Sequence, residues 1–138
     1  LYKKLATYPV KGAYVFLDAC FSGGYKSAAP LLAQKGVRVV PKVGLPQGNT
    51  LSFSSSSGDQ TSSVYHEKKQ GYYTYFLIKT IRDAKGNLSM KELFERTSAA
   101  VKRATALIDK IQEPQCMVSP TWVGWEDIKL ETPVTEIP

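Results

Sequence analysis

The sequence contains few of the residues that build the common small-protein sites. It has one histidine, His66, and two cysteines, Cys20 and Cys116, which lie far apart in its 138 residues. A zinc site of cysteine and histidine is therefore excluded within this chain, and a disulfide scaffold is not indicated. No run of about 18 apolar residues is present, so the sequence predicts no membrane span. The first residues, LYKKLATYPVKGAY, lack the apolar stretch of a signal peptide. They also lack an initiator methionine, so we expect the chain to be part of a longer one.

Acidic residues are outnumbered, 12 against 18 basic ones, which gives a formal net charge of +6. The basic residues are spread along the chain among acids, and no pattern typical of a nucleic-acid-binding module accompanies them. We interpret them as a solvated surface and expect no nucleic-acid partner, although a basic face that binds an acidic partner stays open. The hydrophobic content of 43% is ordinary for one soluble domain with its own core.

Apolar periodicity predicts the order helix, strand, helix or loop, strand, strand, helix, helix, which is an α/β organisation. Ser89 and Glu92 form the capping-box pattern that opens a helix. After Pro114 we expect a tail that wraps the surface, with Trp122 and Trp125 packing down on it. The predicted helices cover residues 1–8, 72–83 and 89–111, the predicted strands cover 13–19, 37–43 and 50–57, and 57–71 is predicted as a loop.

The stretch AYVFLDACFSGG, residues 13–24, carries the strongest functional signal. Its β-branched and aromatic residues predict a fully buried strand that ends at Asp18 and Cys20. Small residues and two glycines follow the cysteine, which is a poor context for a packed thiol. In open α/β sheets the carboxyl ends of strands are where ligands and reacting groups collect. Cys20 is therefore a candidate nucleophile, whereas Cys116 reads as a packed or incidental thiol.

Two stretches, VFLDACFSGG and SFSSSSGDQTSS followed by GYYTYFLIKTI, together resemble the caspase-like cysteine proteases. Within that clan the sequence is most similar to metacaspases and bacterial caspase-like peptidases. Their strand ending in Asp-x-Cys-x-Ser-Gly is matched by Asp18, Cys20, Ser22 and Gly23. The aromatic helix, the turn at 83–88, the helix behind it and Gln112-x-Pro114 are also similar. The resemblance covers about residues 1–130, so we assign 1–130 to the cysteine-bearing part of a caspase-like catalytic domain and 131–138 to a C-terminal tail.

The resemblance implies a mostly parallel sheet flanked by helices and a cysteine endopeptidase that works through a Cys/His dyad and a thioester acyl-enzyme. Cys20 is implied as the nucleophile and its backbone N–H as an oxyanion donor. Taken alone, Asp18 could be a capping residue or a buried acid with a backbone partner. The resemblance implies that it lines the S1 pocket and pairs with arginine or lysine, because caspases that cleave after aspartate carry Gln-Ala-Cys-Arg-Gly there instead. We expect a buried carboxylate that a guanidinium can meet with two hydrogen bonds. The implied partners are thus protein or peptide substrates with a basic P1 residue.

Four further residues are candidates for substrate binding. Ser54, Ser55 and Ser56 end their strand with small side chains and are expected to pair with an extended substrate backbone, or else to be a plain polar strand end. Asp59 has two readings, a second charge near the pocket or an Asx-turn in a Ser/Gly-rich loop.

The base of the dyad is missing from this chain, since the family takes it from a turn about 50 residues before the cysteine. His66 lies where the family has no catalytic histidine, and we read it as a surface or capping residue. The simplest account is that the first part of the domain lies outside this chain, either truncated or cut away by self-cleavage and retained as a separate polypeptide. The basic stretch from Lys26 to Lys42 is one expected cleavage region.

No cofactor is expected, while calcium dependence, known in some metacaspases, stays open. An unprotected nucleophilic thiol favours a reducing, cytoplasmic compartment. Two rival functions remain. One is an inactive caspase-like interaction module, and the other is a basic binding domain in which Cys20 is incidental.

Overall fold

The computed structural model describes residues 1–19, 44–57 and 60–130. The predicted strand at 37–43, the basic stretch from Lys26 to Lys42 and two candidate site residues, Cys20 and Asp59, lie outside the described residues. In the described part of the chain, no helix is long and apolar enough to cross a membrane.

Three strands form one sheet, in which the second strand lies in the middle. After a short helix α1 (Tyr2–Leu5), strand β1 (Ala13–Leu17) runs parallel to β2 (Thr50–Ser54). The strand pairs place Leu17 beside Ser54, so both strands end at the same edge of the sheet. Every residue of β2 is buried, as its central position requires.

Strand β1 is less buried than its composition predicts. Tyr14 and Phe16 are 38% and 40% exposed, and exposed and half-buried positions alternate along the strand. Because β1 lies at the edge of the described sheet, with β2 as its one described neighbour, one of its faces is only partly covered. The prediction of a fully buried strand was therefore wrong for the described fold. The strand begins at the predicted residue, Ala13, and ends two residues before the predicted end.

The segment predicted as a loop contains a small hairpin. Its strands β3 (Val64–Tyr65) and β4 (Gln70–Gly71) pair antiparallel around a single 3₁₀ turn, His66–Lys68. Lys69 closes the turn in the left-handed conformation, with φ of 53°. His66 is exposed on this turn.

Two long helices follow the hairpin, and they pack against each other. Helix α2 (Tyr72–Asp83) begins directly after β4, and helix α3 (Met90–Ala106) begins at the predicted cap. The Ser89 side chain accepts a hydrogen bond from the backbone N–H of Glu92, and the Glu92 carboxylate accepts one from the backbone N–H of Ser89. This confirms the capping box.

Helix α3 ends five residues before the predicted end at 111. Leu107 is 87% exposed, and Asp109 has a left-handed φ of 54°, which an α-helix does not tolerate. The apolar residues at 107, 108 and 111 continue the helical spacing but face solvent, so spacing alone overestimated the helix length.

The tail after Pro114 contributes a strand to the sheet, which the sequence did not predict. Its strand β5 (Gln115–Val118) pairs antiparallel with β2, so that the described sheet has the order β1-β2-β5 with one parallel and one antiparallel pair. Trp122 and Trp125 pack against the buried core, as predicted. That core consists of buried residues from β2 and both long helices together with Leu88: Leu51, Phe53, Tyr73, Leu88, Met90, Leu93 and Val101.

Candidate active site

The candidate site lies where β1 and β2 end side by side. Asp18 follows the last residue of β1, and Ala19 is the final described residue before Cys20 in the sequence. The backbone N–H of Ser55 donates to the carbonyl of Leu17 over 2.8 Å, and the Ser55 hydroxyl lies 3.4 Å from the carbonyl of Ala19. These bonds tie the segment that leads into Cys20 to the end of the central strand.

The Asp18 carboxylate contacts three hydrogen-bond donors from two different segments. Its Oδ1 accepts from the hydroxyl of Ser62 at 2.5 Å. Its Oδ2 accepts from the backbone N–H of Thr74 at 3.1 Å and from the Thr74 hydroxyl at 2.6 Å. Thr74 is the third residue of α2, so the carboxylate lies at the positive end of the helix dipole. Asp18 is nevertheless exposed, which corrects the expectation of a buried carboxylate.

Gly71 provides the space for this carboxylate. A Cβ atom at position 71 would overlap Oδ2 of Asp18. The backbone of Gly71 is extended, with φ of −67° and ψ of 149°, a conformation that any residue can adopt. Gly71 is therefore required by the close approach of Asp18, whereas its own backbone angles impose no such requirement.

The three strand-end serines lie deeper than the sequence indicates. Ser54, Ser55 and Ser56 are all buried, and Ser54 is paired with β1 on one side and with β5 on the other. The backbone N–H and carbonyl of Ser55 both have partners within the fold, which are the carbonyl of Leu17 and the side chain of Gln112. The Ser56 hydroxyl lies 3.3 Å from the carbonyl of Gln60.

Gln112 joins the two ends of the segment that leads from β2 to the hairpin. Its side chain is 1% exposed. The amide Nε2 donates to the carbonyl of Ser55, and Oε1 accepts from the backbone N–H of Ser63, both at 2.9 Å. Next to it, the backbone N–H of Glu113 donates to Oε1 of Gln60 at 2.7 Å. The only sequence signal for this residue was the motif Gln112-x-Pro114, which did not indicate its partners.

Two groups near the site, the buried Tyr73 and the half-buried Cys116, have raised pKa values. Burial raises the pKa of Tyr73, and the negative charges of Asp18 and Cys116 raise it further. Burial also raises the pKa of the Cys116 thiol to about 11, with a smaller contribution from Glu126. Cys116 lies on β5 beside Phe53 of the central strand, as expected of a packed thiol. Both groups are thus neutral near pH 7.

Metal-binding groups are not clustered in this region. Within residues 1–19, 44–57 and 60–130, no group of three or more His, Cys, Asp or Glu side chains could hold a metal ion.

A helix-flanked sheet that brings polar side chains together at the carboxyl ends of two parallel strands is the arrangement of an α/β enzyme domain. Residues 1–122 match the family model of the caspase domain, peptidase family C14. The match spans most of the chain, so the chain belongs to the caspase domain family, and the predicted family and caspase-like fold are confirmed. Searches of the curated proteins and of the solved structures returned no significant match.

Proposed function

We propose that this chain is the cysteine-bearing part of an endopeptidase that cleaves after arginine or lysine. Membership of the caspase domain family supports cysteine peptidase activity in general. The observation that carries the finer proposal is the position of Asp18, an exposed carboxylate at the carboxyl end of a parallel strand and two residues before Cys20. The proposed nucleophile, Cys20, follows Asp18 by two positions. We therefore expect a basic P1 side chain that binds this carboxylate to lie near the nucleophile.

In the proposed reaction, the Cys20 thiolate attacks the scissile carbonyl and forms a thioester as the amine leaves. A histidine takes the thiol proton and returns it to the leaving amine, and water then hydrolyses the thioester. His66 is exposed on the hairpin turn, so we do not assign it this role. We propose that the histidine belongs to an earlier part of the same domain, either on the same polypeptide or as a separate, self-cleaved chain.

The serines take a modified role in this proposal. Because the backbone groups of Ser55 already have partners in the fold, we assign Ser54 and Ser55 to positioning of the strand end. Ser56 and Asp59 remain the candidates for contact with the substrate. We propose no cofactor, no nucleic-acid partner and no membrane partner.

Hydrolysis of fluorogenic peptides by the full-length protein tests the proposal. Peptides that end in Arg, Lys or Asp are compared with and without calcium, and Cys20→Ala serves as the control. We expect cleavage after Arg and Lys that disappears in Cys20→Ala. Cleavage after Asp would keep the peptidase but contradict the role of Asp18. No cleavage in any condition by a folded protein would favour the inactive interaction module.

A further inference from the structure

Helix α2 lacks a cap of its own. Its N-cap residue is Gly71, which has no side chain that can accept a hydrogen bond. The backbone N–H of Tyr72 instead donates to the carbonyl of Ser63 at 3.0 Å, and that of Thr74 donates to Asp18. Since the first N–H groups of a helix have no partner within the helix, Asp18 replaces the missing cap from 56 positions away in the sequence.

This capping role uses most of the hydrogen-bonding capacity of the carboxylate. Two oxygens offer about four lone-pair positions for donors. Thr74 occupies two positions on Oδ2, through its N–H and its hydroxyl, and Ser62 occupies one on Oδ1. Among the described residues no further donor contacts Asp18, which leaves one acceptor position, and that position is on Oδ1. A guanidinium fork that meets both oxygens needs one position on each.

Asp18 as a whole residue is accessible to solvent in the described part of the chain. Asp18 is exposed, while Gly71 and the start of α2 lie behind Oδ2. The carboxylate is held from the helix side, and its orientation is fixed by bonds from α2 and from the segment before β3. An incoming cation therefore meets Oδ1 and cannot rotate the carboxylate without breaking bonds to Thr74.

We propose that Asp18 binds the basic P1 side chain through a single hydrogen bond to Oδ1, and that Thr74 is the positioning residue that prevents a two-pronged contact. This inference rests on the proposed function, since it concerns the substrate of that same site. A single N–H donor is supplied equally well by a lysine ammonium and by one edge of an arginine guanidinium. Asp18 then selects for positive charge and contributes little to the choice between arginine and lysine.

The test measures the ratio of kcat/KM for matched peptides with Arg and with Lys at P1, using the full-length protein. Thr74→Ala removes the hydroxyl and frees a position on Oδ2, so that a guanidinium fork can bind both oxygens. We expect the Arg-to-Lys ratio to rise about fivefold, the effect of one added charge-assisted hydrogen bond weakened by solvent. Thr74→Ser keeps the hydroxyl and should keep the ratio of the native protein.

Thr80→Ala is the matched control, because it makes the same change in the same helix about 9 Å further along the axis. A ratio that is unchanged or lower in an active Thr74→Ala protein would overturn the inference and leave the proposed function standing. Absence of any Cys20-dependent cleavage after basic residues in the native protein would overturn the proposed function, and the inference with it.

A second measurement needs no variant and so is unaffected if Thr74→Ala fails to fold. Methylation of an arginine side chain keeps its charge but blocks two-pronged hydrogen bonding. If the contact is single, the native protein cleaves after Nω-methylarginine with a kcat/KM within about threefold of that for arginine. A loss of tenfold or more would mean that both edges of the guanidinium are used, which contradicts the inference.

Discussion

Replacement of Gln112 should destabilise the protein more than any other single change at a polar residue near the site. Gln112→Met keeps an unbranched side chain of similar size but removes the amide. The carbonyl of Ser55, in a residue that is 0% exposed, and the N–H of Ser63 then lose their partner. An unsatisfied buried polar group costs about 1–3 kcal/mol. Ser63 is only half-buried and can recover a bond to water, so we expect a loss of about 3 kcal/mol.

Urea unfolding of the full-length protein, followed by the fluorescence of Trp122 and Trp125, measures this loss. With a slope of about 2 kcal/mol per molar urea, the midpoint should fall by about 1.5 M. Gln115→Met is the matched control, because Gln115 is exposed on β5, and we expect a change below about 0.5 kcal/mol. A cost below about 1 kcal/mol for Gln112→Met would refute the reasoning.

Gln112→Glu tests the direction of the two hydrogen bonds. An ionised carboxylate can still accept from Ser63, but it faces the carbonyl oxygen of Ser55 without a donor. Burial should raise the pKa of this new carboxyl in the folded state above its value in the unfolded chain. The folded state then binds the proton more tightly, so the variant should regain stability relative to the native protein as the pH falls from 7 to 5. No relative gain would contradict the assigned donor and acceptor.

Two further predictions concern the cap of α3 and the half-buried thiol of Cys116. Ser89→Ala should cost about 1 kcal/mol in the same urea assay, as for other N-caps. The backbone N–H of Ser89 lowers the pKa of Glu92, so the advantage of the native protein over Glu92→Gln should be constant above about pH 5 and disappear as the pH falls below about 4. With a pKa of about 11, Cys116 is only about 0.1% thiolate at pH 8. In the Cys20→Ala protein, iodoacetamide should therefore alkylate Cys116 very slowly at pH 8 and faster above pH 10. Rapid alkylation at pH 8, measured by mass spectrometry, would contradict the raised pKa of Cys116.

Local signals in the sequence predicted local structure well. The Ser89 and Glu92 pair lies within one helical turn, so the pattern contains all of the interaction. The start of the strand at Ala13 and the start of α2 at Tyr72 likewise follow from short apolar and aromatic runs in the sequence. The end of α3 was misplaced because apolar spacing continues to 111, while the left-handed turn at Asp109 is not signalled by any glycine.

The arrangement of the candidate site depends on contacts that no local pattern contains. Asp18 and Thr74 are 56 positions apart, and Gln112 and Ser55 are 57 apart. The sequence identified Asp18 through a resemblance to a family, and it marked Gln112 as part of a familiar motif, but neither signal names a partner. Strand β5 was missed for the same reason. The four residues Gln115–Val118 form a strand because they pair with β2, and no local pattern indicates that pairing.

The double use of Asp18 changes what its presence means for function. An acid at position 18 is useful to the fold alone, because it caps α2 where Gly71 cannot. An inactive homologue would therefore have a structural reason to keep this acid, and the acid alone does not distinguish an enzyme from an interaction module. Capping uses Oδ2, whereas the fourth acceptor position is on Oδ1, and this is the part of Asp18 that we propose a substrate uses.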